Sequence, residues 1–255
     1  MQKMLGLISL CLGVYALACL ALFFMQRSYI YYPVAKPMLA APQTSTLAVP
    51  GAEVKVSERP VQGAQALIYL GGNAEDVTAS LPLLEAAFPD RALYLLHYRG
   101  YLGSAGSPSE AALVADALAL FDRVAREHPD VVVVGRSLGS GIAVQVASRR
   151  SVNKLVLVTP FDSLQEIAAG HFPYFPVRWL LRDKYESWRY APQVQAPTLL
   201  IAAEHDTIVP ASSTKRLLSR FPAGVAVMRV IGGVGHDDIS AAPEYRAALT
   251  IDGSR

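Results

Sequence analysis

From Met4 to Met25 the chain runs without a charged residue, and behind this segment short apolar runs alternate with stretches of helical periodicity. The short runs are 54–56, 66–70, 92–96, 131–134, 155–158, 198–202 and 226–230. Continuous apolar runs of this length, rich in Val, Ile and Leu, predict strands buried on both faces. Between them, 109–127 reads as a helix, with Ser109 as cap and Ala112, Leu113, Leu120 and Val124 near helical spacing. Further helices are predicted over 74–88, 138–149, 212–220 and 243–249. Strands alternating with helices imply an α/β fold: a mostly parallel sheet covered on both faces and joined by right-handed crossovers. Function then gathers at the carboxyl ends of the strands.

The opening segment is long enough to cross a bilayer, which takes roughly 20 apolar residues. Residues 1–27 are therefore expected to form one N-terminal transmembrane anchor, 28–50 a connecting segment, and 51–255 a single catalytic domain. A cleaved signal peptide competes, with Ala16-Leu17-Ala18 imitating its cleavage site, but strongly apolar residues continue from Leu20 to Met25. Lipid attachment at Cys19 is a lesser alternative. Tyr29, Tyr31 and Tyr32 suit either the headgroup layer or packing on the domain. Lys3 and the α-amino group nearly balance Arg27 and Lys36, and the reading leans towards a cytoplasmic N-terminus with the catalytic domain on the other side.

Composition removes some classes. With 23 basic and 21 acidic residues among 255, there is no basic stripe of the kind that holds nucleic acid. Both cysteines, Cys11 and Cys19, lie in the apolar segment, so the folded domain has no thiol for a disulfide or a cysteine metal cluster. Oligomeric state is not readable from these features.

The sharpest chemistry lies in Val131-Val132-Val133-Val134-Gly135-Arg136-Ser137-Leu138-Gly139-Ser140-Gly141, a buried strand entering G-x-S-x-G and then a helix. This is the context of a nucleophile elbow, where flanking glycines permit a strained turn that exposes the serine hydroxyl. A serine hydroxyl needs a base, and the base needs an acid to orient it. Asp206 follows the run 198–202, and His236 lies in the glycine-rich loop after 226–230, giving the order Ser, Asp, His. The expected triad is thus Ser137, Asp206 and His236, with Glu204 and Asp162 as rival acids. His97, His128, His171 and His205 lack matching context.

Acyl transfer also develops an oxyanion, which preorganised amides stabilise. One donor is expected to be the backbone amide of Leu138, and the other that of Asn73 in Leu70-Gly71-Gly72-Asn73-Ala74, with Gly72 next.

The combination resembles the small, N-terminally anchored α/β-hydrolase-domain family of serine hydrolases. The matching features are the anchor, Gln26-Arg27-Ser28-Tyr29-Ile30-Tyr31-Tyr32-Pro33, Gly72-Asn73-Ala74, Tyr98-Arg99-Gly100-Tyr101, Gly106-Ser107-Pro108-Ser109-Glu110, Gly135 to Gly141, Pro160-Phe161-Asp162-Ser163, Asp206 and Gly235-His236. Three departures stand out: Gly71 where members commonly have His, His97 where they have Asp, and Leu102 where they tend to have glycine. The resemblance implies an α/β-hydrolase fold that cleaves esters or thioesters, including acyl groups on lipids or lipidated proteins, without a metal or organic cofactor. The segment from Phe161 to Pro197 reads as a short, proline-stiffened lid whose aromatics line an acyl pocket, or equally as a connecting segment whose aromatics pack on the domain. A peptidase with the same triad and a non-catalytic membrane scaffold are the competing readings; the first would need an added selecting domain, and the second has no use for an intact triad.

Overall fold

The computed structural model of the chain describes residues 1–36, 39 and 43–250. Eight strands form one sheet in the order β1-β2-β4-β3-β5-β6-β7-β8. Their ranges are β1 Gln43–Val49, β2 Ala52–Arg59, β3 Gln65–Leu70, β4 Ala92–Leu96, β5 Asp130–Arg136, β6 Lys154–Val158, β7 Thr198–Ala203 and β8 Ala226–Ile231. β2 runs antiparallel to β1 and β4, and every other neighbour is parallel. This is the expected α/β-hydrolase fold. The central strands β3, β5, β6 and β7 are buried almost end to end, which is why they read as unbroken apolar runs.

One stretch departs from expectation. Within the expected connecting segment 28–50, Gln43–Val49 form β1 and pair with β2 along their whole length. Only Leu47 of this edge strand is buried, so its apolar pattern is too thin to announce a strand. Part of the connecting segment, residues 37, 38 and 40–42, lies outside the described residues.

The helices are α1 Gln2–Ile30, α2 Leu81–Ala87, α3 Glu110–Val124, α4 Leu138–Ala147, α5 Leu164–His171, α6 Val177–Leu180, α7 Ser187–Tyr190, α8 Ala211–Leu218 and α9 Pro243–Thr250. The helix expected from 74 begins later, as a 3-10 turn over Val77–Ser80 that leads into α2. Asp76 caps it by accepting from the Thr78 amide, while Ala74 takes a positive φ of 54°, so residues 71–76 remain a loop at the end of β3. The segment expected as a lid contains α5, α6 and α7. α1 is long and apolar enough to cross a membrane.

α1 does not stand apart from the domain. Its Arg27 guanidinium makes two hydrogen bonds to Asp183, at 2.8 and 3.2 Å. The hydroxyls of Tyr31 and Tyr185 meet at 2.9 Å, and Tyr101 donates to the Tyr31 carbonyl at 3.2 Å. Tyr31 is fully buried, whereas Tyr29 and Tyr32 are about half exposed. Glu110 closes the junction by accepting from the amides of Lys184 and Tyr185 at 2.8 and 2.9 Å. These contacts account for several of the motif residues between Gln26 and Glu110.

Candidate active site

Ser137 stands between β5 and α4 with φ 48° and ψ −115°, a strained backbone for a residue bearing a Cβ. The turn closes only because its neighbours lack side chains. A Cβ on Gly135 would lie 2.5 Å from the carbonyl oxygen of Gly139, and one on Gly139 would lie 2.0 Å from that of Leu70. The serine amide donates to Val158 at 2.9 Å, so the turn is also pinned to β6. Its hydroxyl is thereby presented at the carboxyl end of the sheet.

Asp206 and His236 arrive from the loops after β7 and β8. Asp206 Oδ1 accepts from the amides of Ile208 and Val209, at 3.0 and 2.7 Å, which fixes the carboxylate and leaves Oδ2 to meet His236 Nδ1 at 2.8 Å. Burial raises the Asp206 pKa, but the His236 hydrogen bond and the two amides outweigh it and hold the carboxyl below its ordinary value. An ionised carboxylate only accepts, so Nδ1 of His236 carries the proton and Nε2 is left to accept from the Ser137 hydroxyl, 2.8 Å away. The three residues form one continuous hydrogen-bonded chain.

The rival acids are engaged elsewhere. Asp162 is buried against Ser213 and Arg216, with bonds of 2.5, 2.6 and 3.2 Å. Glu204 accepts from the Gly233 amide at 2.8 Å and so braces the loop that carries His236. Among the other histidines, His97 is buried between Ser57 and the Leu102 carbonyl, and burial lowers its pKa. His128 bridges Tyr94 and Gly63. His171 and His205 are exposed.

The loop after β3 lies directly over the elbow, and Glu75 organises it. One oxygen of Glu75 accepts from Tyr69 at 2.6 Å and Ser80 at 2.9 Å; the other accepts from the Gly72 amide at 2.6 Å and faces Arg136 at 3.4 Å. The Gly72 amide is therefore occupied, while Asn73 and Leu138 line the same cavity as Ser137. Tyr98 holds the same loop by donating to the Gly71 carbonyl at 2.8 Å. A side chain on Gly71 would meet Val77 at 2.6 Å, so the histidine common in the resembling family has no room here. Arg136 also reaches the carbonyls of His236 and Asp237, at 3.5 and 3.4 Å, and links the two loops. Nothing in the hydropathy pattern singles out Glu75; its one sequence cue is its place three residues after Gly72.

Ser137 opens into a cavity of about 410 Å³. Leu164, Ile167 and Ala168 of α5, with Phe161 and Phe172, form one wall; Val177, Leu180 and Leu181 form another. The third wall comes from α1, through Leu22, Gln26, Tyr29 and Ile30. Of the lid aromatics, Phe161 and Phe172 face this space, whereas Tyr174 and Trp179 are 85% and 88% exposed. The expectation that the lid aromatics line the pocket holds for the first two and fails for the second pair.

No protein-family model matches the chain. The uncharacterized protein Rv2307c of Mycobacterium tuberculosis is 34% identical over 231 residues, covering 84% of this chain and 81% of that one. The alpha/beta hydrolase domain-containing protein aho-3 of Caenorhabditis elegans is 32% identical over 156 residues, 60% of this chain and 46% of its own length. The lysophosphatidylserine lipase ABHD12 of Xenopus tropicalis is 31% identical over 140 residues, 47% of this chain and 36% of its own. In fold, the chain is similar to the Pyrococcus furiosus esterase Pf2001, with a TM-score of 0.69 at 16% identity over 86% of this chain and 96% of that one. Sheet order, site geometry and relatives agree, and the chain belongs to the alpha/beta hydrolase domain-containing proteins, as one that carries an apolar N-terminal helix.

Proposed function

We propose that the protein is a membrane-anchored serine hydrolase that cleaves carboxylic ester or thioester bonds of acyl or lipid-like substrates through an acyl-enzyme on Ser137. The observation that carries this reading is the hydrogen-bonded chain Asp206–His236–Ser137 at the end of an apolar cavity. His236 Nε2 takes the hydroxyl proton as Ser137 Oγ attacks the acyl carbonyl, and Asp206 stabilises the imidazolium that results. The amides of Leu138 and Asn73 receive the oxyanion. His236 then gives its proton to the leaving alcohol or thiol, and water, deprotonated by the same imidazole, releases the acid.

Hydrolase relatives support the reaction class, and the name of the lysophosphatidylserine lipase relative supports a lipid ester. The largely aliphatic cavity walls suit an alkyl chain better than a peptide, which would leave its amides unpaired there. α1 serves as the anchor, with residues 51–255 forming the catalytic domain and β1 added to its edge. The test is a fluorophosphonate probe with a panel of acyl esters and thioesters of graded chain length. Labelling and turnover that vanish in Ser137→Ala are expected; a folded wild-type protein that neither labels nor turns over any ester or thioester would reject the proposal.

A further inference from the structure

Besides lining the cavity, the lid runs alongside α1. Tyr15 donates its hydroxyl to the Tyr174 carbonyl at 2.8 Å and stacks on Phe175 with ring centroids 5.9 Å apart. Further along α1, Gln26 donates to the Leu180 carbonyl at 3.1 Å and accepts from the Arg182 amide at 2.7 Å. Arg27 then pairs with Asp183. The lid thus follows the helix from Tyr15 to Gln26, roughly 17 Å at the usual helical rise.

Apolar residues from Met4 to Met25 match the thickness of a hydrocarbon core of about 30 Å. Seating them there puts Arg27 at the surface and Tyr15 near the middle of the bilayer. The lid beside Tyr15 then lies at lipid depth. Its composition fits: Arg178 is the single formally charged residue from Phe172 to Leu181, and its guanidinium is paired with Glu166 at 2.6 and 3.0 Å. Trp179, Tyr174 and Phe172 are exposed to their surroundings.

Backbone donors decide whether irregular chain can sit in hydrocarbon, because no water is there to satisfy them. In this lid Pro173 and Pro176 have no amide hydrogen. Of the eight backbone amides from Phe172 to Leu181, those of Phe172, Phe175, Val177, Trp179, Leu180 and Leu181 donate to carbonyls within 168–177, and those of Tyr174 and Arg178 do not. Further charge gathers at the Gln26 end, where Arg182 lies over Phe23 and Arg27 pairs with Asp183, and Lys184 reaches back from there to the Arg178 carbonyl at 3.1 Å.

We propose that the lid segment Phe172–Leu181 is inserted beside α1 in the membrane leaflet nearest the catalytic domain, and that a substrate acyl chain passes from that leaflet, between α1 and the lid, to Ser137. The second half rests on the hydrolase reading above; the first does not. α1 then becomes part of the binding site, with Leu22, Gln26, Tyr29 and Ile30 selecting the chain as well as tethering the domain.

The two tryptophans, Trp179 and Trp188, make the test direct. Trp188 lies on α7 beside Arg189 and Arg220, away from the strip along α1. The full-length chain is reconstituted in phosphatidylcholine vesicles brominated on the acyl chains, as Trp188→Phe and as Trp179→Phe. Insertion requires that bromolipid quench Trp179 and leave Trp188 bright; Trp179 quenched instead by aqueous acrylamide and untouched by bromolipid overturns it. For entry, a Tyr174→Asp, Trp179→Asp double variant should lose about tenfold or more on a long-chain ester in vesicles, while hydrolysis of water-soluble p-nitrophenyl butyrate stays unchanged. No loss on the vesicle ester, or equal loss on both, overturns the entry route. If wild-type protein hydrolyses neither ester, the hydrolase reading fails, and the quenching still decides where the lid sits.

Discussion

Gly139 lies so close to Leu70 that a Cβ on the glycine would stand 2.0 Å from the leucine carbonyl oxygen. This contact presses the loop after β3 onto the turn that bears Ser137 and so sets the spacing between that residue and the proposed oxyanion donors. Both partners are backbone, so no rotamer change relieves a clash. Gly139→Ala is expected to lower stability by about 1–3 kcal/mol, as overpacking does, and to remove most turnover. Thermal unfolding and a p-nitrophenyl ester assay check the two effects; a variant with wild-type melting and turnover would show that the loop is free to yield.

The hydrogen-bonded chain predicts an ordered set of losses. His236→Ala should lower kcat on p-nitrophenyl butyrate by about 10³- to 10⁶-fold, and Asp206→Asn by about 10⁴-fold, since an amide can hold the imidazole in the wrong tautomer. Glu204→Gln should cost far less, because Glu204 braces the histidine loop through the Gly233 amide and does not touch the imidazole. Equal losses in Asp206→Asn and Glu204→Gln would assign the orienting role wrongly.

Much of this arrangement is legible in the chain, for physical reasons. Strands β3, β5, β6 and β7 are buried on both faces and so read as apolar runs, and G-x-S-x-G between a Val run and a helix marks the elbow because only glycine fits there. β1 is not legible, because its inward face carries one buried residue, Leu47, between half-buried Ser45 and Val49, too faint an alternation to read from the chain. The order Ser, Asp, His in strand-end loops points to the residues that the fold brings together, but the preference for Asp206 over Asp162 and Glu204 depends on three-dimensional partners that spacing does not encode. Glu75 is invisible for the same reason. The departure at Leu102 has a visible consequence: this buried leucine takes a φ of 48°, a conformation that glycine adopts without strain.

Glu75 acts through others, as a positioning residue. Its side chain and that of Arg136 are only 9% and 18% exposed, so removing the charge leaves Arg136 poorly compensated. Glu75→Gln is expected to destabilise the fold by about 3 kcal/mol and, by loosening the Gly72–Asn73 amides, to lower kcat about tenfold with little change in KM. A purely structural role would lower the melting temperature while leaving kcat of the folded fraction intact, and single-turnover acylation rates separate the two.

The tyrosines that join α1 to the domain predict an alkaline transition. Burial pushes the phenols of Tyr31, Tyr101 and Tyr185 upwards, that of Tyr101 to about 12. A folded pKa raised above the unfolded value of about 10 means that the neutral phenol favours the fold. Its contribution is complete below about pH 10 and is lost as pH rises towards the folded value, because the unfolded chain releases protons that the folded one keeps. Each phenol removes about 1.36 kcal/mol per pH unit over that window, so several together should unfold the protein steeply between about pH 10 and 12. Replacing either member of the Tyr31–Tyr185 pair by phenylalanine removes one titrating group and should flatten the slope, at the expense of about 1 kcal/mol near neutrality for the lost 2.9 Å hydrogen bond. Thermal unfolding in detergent across this range, for wild type, Tyr31→Phe and Tyr185→Phe, reads the slope directly. An alkaline slope identical in all three would place its origin outside this junction.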